Sequence, residues 1–238
     1  LGYKALAVNL SDLAAMGGGA PSYALVVLGL REDIEVEAIE EVYRGMRDCG
    51  AEFACAVVGG DIVASPERTF ISVSLVGVLA GNGFLARDGA RPGQVVAVTG
   101  TLGDSILGLK ALMSGGGNAT HCARRHLYPE PRMREGRAAL EAGASAAIDV
   151  SDGLLRDLGH ICEESGVGAE VADEGIPISD ALNETANQLG KSPREFFLGD
   201  SDDYELIVTC RPQDAELLCS LAAELAVPIK QIGIITAE

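Results

Sequence analysis

One four-residue pattern occurs twice in the chain, 140 residues apart at positions 12 and 152: Asn9-Leu10-Ser11-Asp12 and Asp149-Val150-Ser151-Asp152. Each copy follows a short apolar run and precedes a stretch with helical spacing. A polar side chain at such a junction caps the free N–H groups of a starting helix, so one copy alone reads as an N-cap. Two copies, one in each half, predict two units of related build that face one cleft. A third acid, in Gly59-Gly60-Asp61, also ends an apolar run.

Strand-like and helix-like segments alternate, which predicts an α/β (α+β) architecture. The first half reads β-α-β-α-β-β. Its strands fall at 4–10, 23–30, 54–58 and 71–75, with a short helix at 13–16 and a longer one carrying Val36, Ile39, Val42, Tyr43 and Met46 at helical spacing. The densest Gly/Pro/charge stretch runs from Gly81-Asn82-Gly83 through Arg87-Asp88-Gly89-Ala90-Arg91-Pro92-Gly93. It predicts a boundary between a domain over 1–83 and a second over 84–238. In the second half, strands are expected at 94–99, 146–150, 168–171, 204–210 and 229–236. Helices are expected from the Gly100-Thr101-Leu102-Gly103 turn to about 113, then at 133–141, 151–164, 179–189 and 213–225, with a glycine-rich loop at 114–118.

Composition removes several function classes. Among 238 residues, 35 acids against 18 Lys and Arg leave a net charge of −17, while 47% apolar content excludes disorder. So acidic a chain lacks the basic face that a nucleic-acid backbone or an anionic membrane requires. Its longest apolar runs, such as 23–30, are far shorter than the roughly 20 residues that cross a bilayer. Six irregularly spaced cysteines without a C-x-x-C read as reduced thiols of a cytoplasmic protein. His121-Cys122 and His126 offer too few ligands for a zinc site. The chain opens at Leu1 and closes just after an apolar run, so it reads as cut from something longer.

The chemistry points to carboxylates and a cation. Several acids at strand ends would repel one another unless cations sat between them, and Mg²⁺ favours carboxylate, water and phosphate oxygens. Glycines beside such acids let backbone approach a phosphate. Gly100-x-x-Gly103 lacks the residues of a phosphate loop and reads as a tight strand-to-helix turn. Arg87, Arg91, Arg132, Arg134 and Arg137 are candidate phosphate clamps, although most such arginines pair with surface acids. The run Asp200-Ser201-Asp202-Asp203-Tyr204-Glu205 reads as a solvated acidic turn. No Ser/His/Asp or Cys/His set is present in supporting context.

Taken together, Lys4 to Gly17 (KALAVNLSDLAAMG), Val58-Gly59-Gly60-Asp61, Arg87 to Gly93, Val98 to Asp104, Pro129 to Arg132 and Ile148 to Leu154 resemble the thiamine-monophosphate kinase family. That family belongs to an ATP-binding superfamily with aminoimidazole-ribonucleotide synthetase, and the likeness covers essentially the whole chain. The resemblance implies two α/β domains, the first a mixed sheet with helices on one face, and a homodimer joined through the N-terminal sheets. It implies Mg²⁺-assisted transfer of the γ-phosphoryl of ATP to thiamine monophosphate, without a phospho-enzyme. On matching positions, Asp12, Asp61, Asp149 and Asp152 would bind metal, Gly60, Asp61, Arg87 and Ser151 would contact ATP, and Asp202 would contact substrate. Asp202 stands where the family has Glu. The family's Gly-Asp-Asp-Ala metal motif and an aromatic substrate contact fall outside these 238 residues, which alone are expected to turn over little. Two other readings stand beside the kinase: a superfamily ATP-dependent enzyme acting on another substrate, such as an aminoimidazole-ribonucleotide synthetase-like ligase, and a nucleotide-binding module without turnover.

Overall fold

The structure, a computed structural model, describes residues 1–79, 83–115, 120–225 and 227–237. The start of the expected hinge, Gly81-Asn82, and most of the loop at 114–118 lie outside the described residues.

The chain opens with a helix, α1 (Gly2–Ala15), where a strand over 4–10 and a helix start at Ser11 were expected. The first half therefore reads α-β-α-β-β. Leu6, Leu10 and Leu13, with Ala7 and Ala14, are buried at intervals of three, four and seven residues. Alanine and leucine are strong helix formers, and the run Ala5–Val8 is too short for periodicity to separate strand from helix. Ser11 and Asp12 thus lie inside a helix and cap nothing. The two copies of the repeated pattern adopt different structures, so the expected related build is absent.

Next come β1 (Ala20–Leu30), α2 (Val36–Phe53), β2 (Ala56–Ala64) and β3 (Phe70–Val78). They form a mixed sheet in the order β2-β1-β3, with β2 parallel and β3 antiparallel to β1. Helices α1 and α2 cover one face. They cross so closely that a Cβ on Gly2 would lie 1.8 Å from the Val42 carbonyl oxygen. Along β3, Ile71, Val73 and Leu75 turn towards the helices, whereas Phe70, Val76 and Val78 are exposed on the opposite face.

The second sheet is antiparallel throughout, in the order β5-β7-β4-β8-β6. Its strands are β4 (Val95–Thr99), β5 (Ala146–Asp149), β6 (Gly168–Val171), β7 (Leu206–Cys210) and β8 (Ile229–Thr236). Between them run α3 (Asp104–Met113), α4 (His121–Leu127), α5 (Met133–Glu141), α6 (Leu154–Ser165), α7 (Asp180–Gln188), α8 (Arg194–Phe197) and α9 (Pro212–Glu224). The short helices α4 and α8 carry no clear apolar period and were not anticipated.

The central strands β4 and β7 are buried on both faces. Val96, Val98 and Ile207 pack with Leu154, Leu158 and Ile161 of α6. On the other face Val95, Ala97, Leu206 and Val208 pack with Ala139 of α5 and with Ala14 and Ala15 of α1. Helix α1 therefore belongs to two cores, since its Leu6 and Leu10 pack under the first sheet. Through α1 the two sheets are held together, and its last turns are placed beside the end of β5. Among the described residues no helix is long and apolar enough to cross a membrane, and all six cysteines are free.

Candidate active site

The two copies of the repeated pattern meet at the junction of α1 and β5. Ser11, fully buried on α1, donates its Oγ–H to Asp149 Oδ2 at 2.6 Å. Asp12, Arg87 and Asp149 line one cleft of about 450 Å³ together with Met16, Phe84 and Ile148. Burial pushes the Asp149 carboxyl up to about 6; the Ser11 hydrogen bond opposes this, and the charges of Asp12 and Asp157 add to it. Burial also raises Asp12, against the pull of Arg87. An acid in the last turn of a helix opposes the macrodipole, so Asp12 is poorly placed for stability. Such local conflicts are expected at functional sites.

Asp152 is presented by the loop between β5 and α6, and a residue not singled out from sequence fixes that loop. The backbone N–H groups of Ser151, Asp152 and Gly153 all donate to Asp157 Oδ2, at 2.9, 2.9 and 3.0 Å. Asp157 lies buried in the first turn of α6, which leaves the Asp152 carboxylate exposed, 3.7 Å from Arg156. A second unanticipated residue is Tyr204. It is one of only two non-glycine residues at positive φ among those described, at +54°. Backbone strain of this kind concentrates at functional sites. After burial, the charges of Asp202, Asp149, Asp12 and Asp152 all push its hydroxyl upward. An aromatic residue within so acidic a run was the only signal for it in the sequence.

Gly60 and Asp61 do not line this cleft. They lie within β2, not after it, and line a separate groove between α2 and β2. Gly60 has φ +153°, and a Cβ there would lie 1.7 Å from the Val26 oxygen, so strand pairing itself requires glycine. Asp61 is exposed and accepts the Ile62 N–H at 2.8 Å. Of the four acids expected at strand ends, only Asp149 ends a strand, and Asp152 follows in the next loop.

The run at 200–205 is not a solvated turn. Glu205, fully buried, accepts Arg132 Nε and Nη2 at 2.7 and 2.6 Å, Arg125 Nη2 at 2.5 Å and the Thr99 hydroxyl at 2.6 Å. Burial raises its carboxyl, but the two arginines bring it below the ordinary range. Asp203 accepts the N–H groups of Gly103 and Ser105 at 2.7 and 2.9 Å and thereby occupies the N-terminus of α3. Gly100-x-x-Gly103 is accordingly a strand-to-helix turn capped from within. Arg132 serves Glu205, Arg137 pairs with Glu141, and Arg91 bonds backbone oxygens of Asp88 and Ala90. None of these three is a free phosphate clamp.

Among the described residues, no three His, Cys, Asp or Glu side chains form a ready metal cage. Mg²⁺ does not demand one, because it keeps several waters and takes one or two carboxylates plus phosphate oxygens. The donor set of Asp12, Asp149 and Asp152, all hard oxygens, suits that mode. Asp12 and Asp149 line one cleft, so their negative charges face the same space, where a cation would be stabilised.

Comparison with known proteins agrees with this picture. Residues 1–79 match the AIR synthase related protein N-terminal domain and residues 91–238 the C-terminal domain. The chain is 40% identical to the thiamine-monophosphate kinase of Aquifex aeolicus, covering 88% of this chain and 68% of that protein. It is 36% identical to that of Rhodopirellula baltica, over 98% of this chain and 67% of the relative. A solved structure described as AaThiL complexed with AMPPCP and TMP superposes with a TM-score of 0.89 at 36% identity, covering all of this chain and 74% of that one. The Stenotrophomonas maltophilia thiamine-monophosphate kinase superposes with the same score at 38% identity, over 100% of this chain and 76% of that one. With its mixed α/β architecture and matches of this extent, the chain belongs to the thiamine-monophosphate kinase family.

Proposed function

We propose that the protein transfers the γ-phosphoryl group of ATP directly to the phosphate of thiamine monophosphate. A phosphate oxygen of thiamine monophosphate bonds to the γ-phosphorus as the bond to the β-phosphate oxygen breaks, giving thiamine diphosphate and ADP. The observation that carries this reading is the cleft in which Asp12 and Asp149 stand together with Arg87, the Ser11 hydroxyl holding the Asp149 carboxylate. Phosphoryl transfer needs positioning and charge neutralisation more than covalent chemistry, which is what such a cleft can supply.

In this reading Asp12, Asp149 and Asp152 hold Mg²⁺, which when bound neutralises the charge on the phosphates. Ser11 orients the Asp149 carboxylate, and Asp157 fixes the loop that carries Ser151 and Asp152. Arg87, exposed at the rim of the cleft, is free to meet a nucleotide phosphate. Asp202 meets the cationic ring of the substrate. Gly60 and Asp61 line the separate groove between α2 and β2, and a part for them in nucleotide and metal binding is carried by the family resemblance alone.

The same reading takes the chain as two domains, 1–83 and 84–238, supported by its two sheets with separate cores. It takes the protein as a homodimer joined through the first sheet, supported by the exposed Leu25, Val58, Ile62, Phe70, Val76 and Val78. A cytoplasmic setting is supported by the six free thiols. The test is a coupled ADP-release assay on the product of the full reading frame, offered Mg-ATP with either thiamine monophosphate or an aminoimidazole precursor. Release with thiamine monophosphate supports the kinase. Release only with the aminoimidazole precursor supports the ligase instead.

A further inference from the structure

A cluster outside the carboxylate cleft joins α1 to three elements of the second half. Lys4 Nζ, one helical face with Ser11, lies 2.5 Å from Asp202 Oδ2. Ser105 Oγ, in the first turn of α3, donates to Asp202 Oδ1 at 2.5 Å and lies 2.9 Å from His126 Nδ1 of α4. His126 Nδ1 is 3.4 Å from both Lys4 Nζ and Asp202 Oδ1. Lys4 Nζ also stands 5.8 Å from the centroid of the Tyr204 ring.

Both Asp202 oxygens are thus engaged by side-chain donors of the protein. A carboxylate offers about four acceptor positions, so others are left for a ligand. The side chains of Lys4 and Asp202 keep 20% and 27% exposure, so the pair is reachable and still sheltered from full solvent screening. Burial pushes the Asp202 carboxyl up, but the hydrogen bonds from Lys4 and Ser105 bring it below the ordinary range. A plain surface ion pair contributes little and fixes nothing. This one is held by three elements, and its acid sits one methylene further back than a glutamate would.

We propose that Lys4 is a substrate-positioning residue: its ammonium fixes the Asp202 carboxylate across the gap between α1 and the segment before β7, so that the free edge of the carboxylate meets the cationic ring of thiamine monophosphate. The inference rests on the kinase reading given above. Ser105 is the second support, fixing the other oxygen, and neither residue touches the nucleotide.

The test uses the product of the full reading frame, with steady-state kinetics for both substrates and calorimetric titration with thiamine monophosphate. Lys4→Met is expected to raise KM for thiamine monophosphate about tenfold and to weaken its binding in step, the effect of one charge-assisted hydrogen bond, with KM for ATP unchanged. Lys4→Arg, which keeps the charge, is expected to recover most of the loss. Should Lys4→Met fail to fold, Ser105→Ala gives the same split with a smaller effect. An equal rise in both KM values, no recovery with arginine, or no change would each overturn the proposal while leaving the kinase reading intact. A wild-type protein that neither binds nor phosphorylates thiamine monophosphate would overturn both.

Discussion

The hydroxyl of Ser11 donates to Asp149 at 2.6 Å, and this one bond joins the two copies of a repeated pattern across the junction of two sheets. Ser11 comes from the C-terminal part of a helix shared by both cores, and Asp149 from the last position of a sheet strand. Removing the hydroxyl leaves a buried carboxylate without that donor. Ser11→Ala is therefore expected to lower stability by about 2 kcal/mol. The check is a shift in urea midpoint at unchanged slope, which separates lost stability from a changed unfolded state.

Asp12→Asn and Asp149→Asn are expected to lower kcat by about a hundredfold or more, as loss of a charge-positioning ligand does. Their stabilities should not fall with it. Burial raises both carboxyls, so keeping them ionised at neutral pH costs the folded state stability relative to the unfolded chain. Thermal melting at pH 7 should show Asp149→Asn at least as stable as the parent. A large loss of stability would assign these acids a structural role instead.

Two neighbouring buried acids should respond to pH in opposite senses. Asp203 is pushed up to about 6 by burial, from an ordinary 3.8, so the native state holds its proton more tightly than the unfolded chain. Its contribution is complete below 3.8 and is lost as pH rises through about 6. Glu205 lies below its ordinary 4.5, so its contribution is present above that value and is lost as pH falls further. Asp203→Asn should flatten the decline of stability between pH 4 and 6, with Asp149 supplying what slope remains. Glu205→Gln should remove part of the acid-side loss, at the cost of about 3 kcal/mol because it unbalances the buried Arg132 and the half-buried Arg125. Urea midpoints measured across pH 3 to 8 decide both.

Gly60→Ala should disrupt the pairing of β2 with β1, because its Cβ would lie 1.7 Å from the Val26 oxygen. A cost of about 2 kcal/mol or more is expected, in the range of strained backbone substitutions. Amide hydrogen exchange should show the loss concentrated in residues 56–64, with the second sheet unaffected.

The sequence made most of the second half legible, since β4, α5, α6, α9 and β8 follow apolar periods with clear Gly or Pro punctuation. It misled at α1, where an Ala/Leu-rich run satisfies either period and only the packing of Leu6 and Leu10 on one core and of Ala14 and Ala15 on the other selects the helix. The pairing of Ser11 with Asp149 could be anticipated as two acidic patterns facing one cleft, but not as a direct bond. Asp157 was invisible because its role is to hold backbone four to six residues away. The run at 200–205 was misread because its acids are satisfied by Arg125, Arg132, Lys4 and the start of α3, all distant in sequence. Asp61 stands out in the sequence beside its glycines, yet its strand places it on a groove apart from the cleft.

The most direct test of the central claim is a single-turnover reaction of the full reading-frame product with Mg-ATP radiolabelled on its γ-phosphate and with thiamine monophosphate. Direct transfer predicts that the label passes straight into thiamine diphosphate, one for each ADP formed, with none on the cleft's carboxylates or on any other group of the protein. Label retained on the protein, or released only as inorganic phosphate, would contradict it.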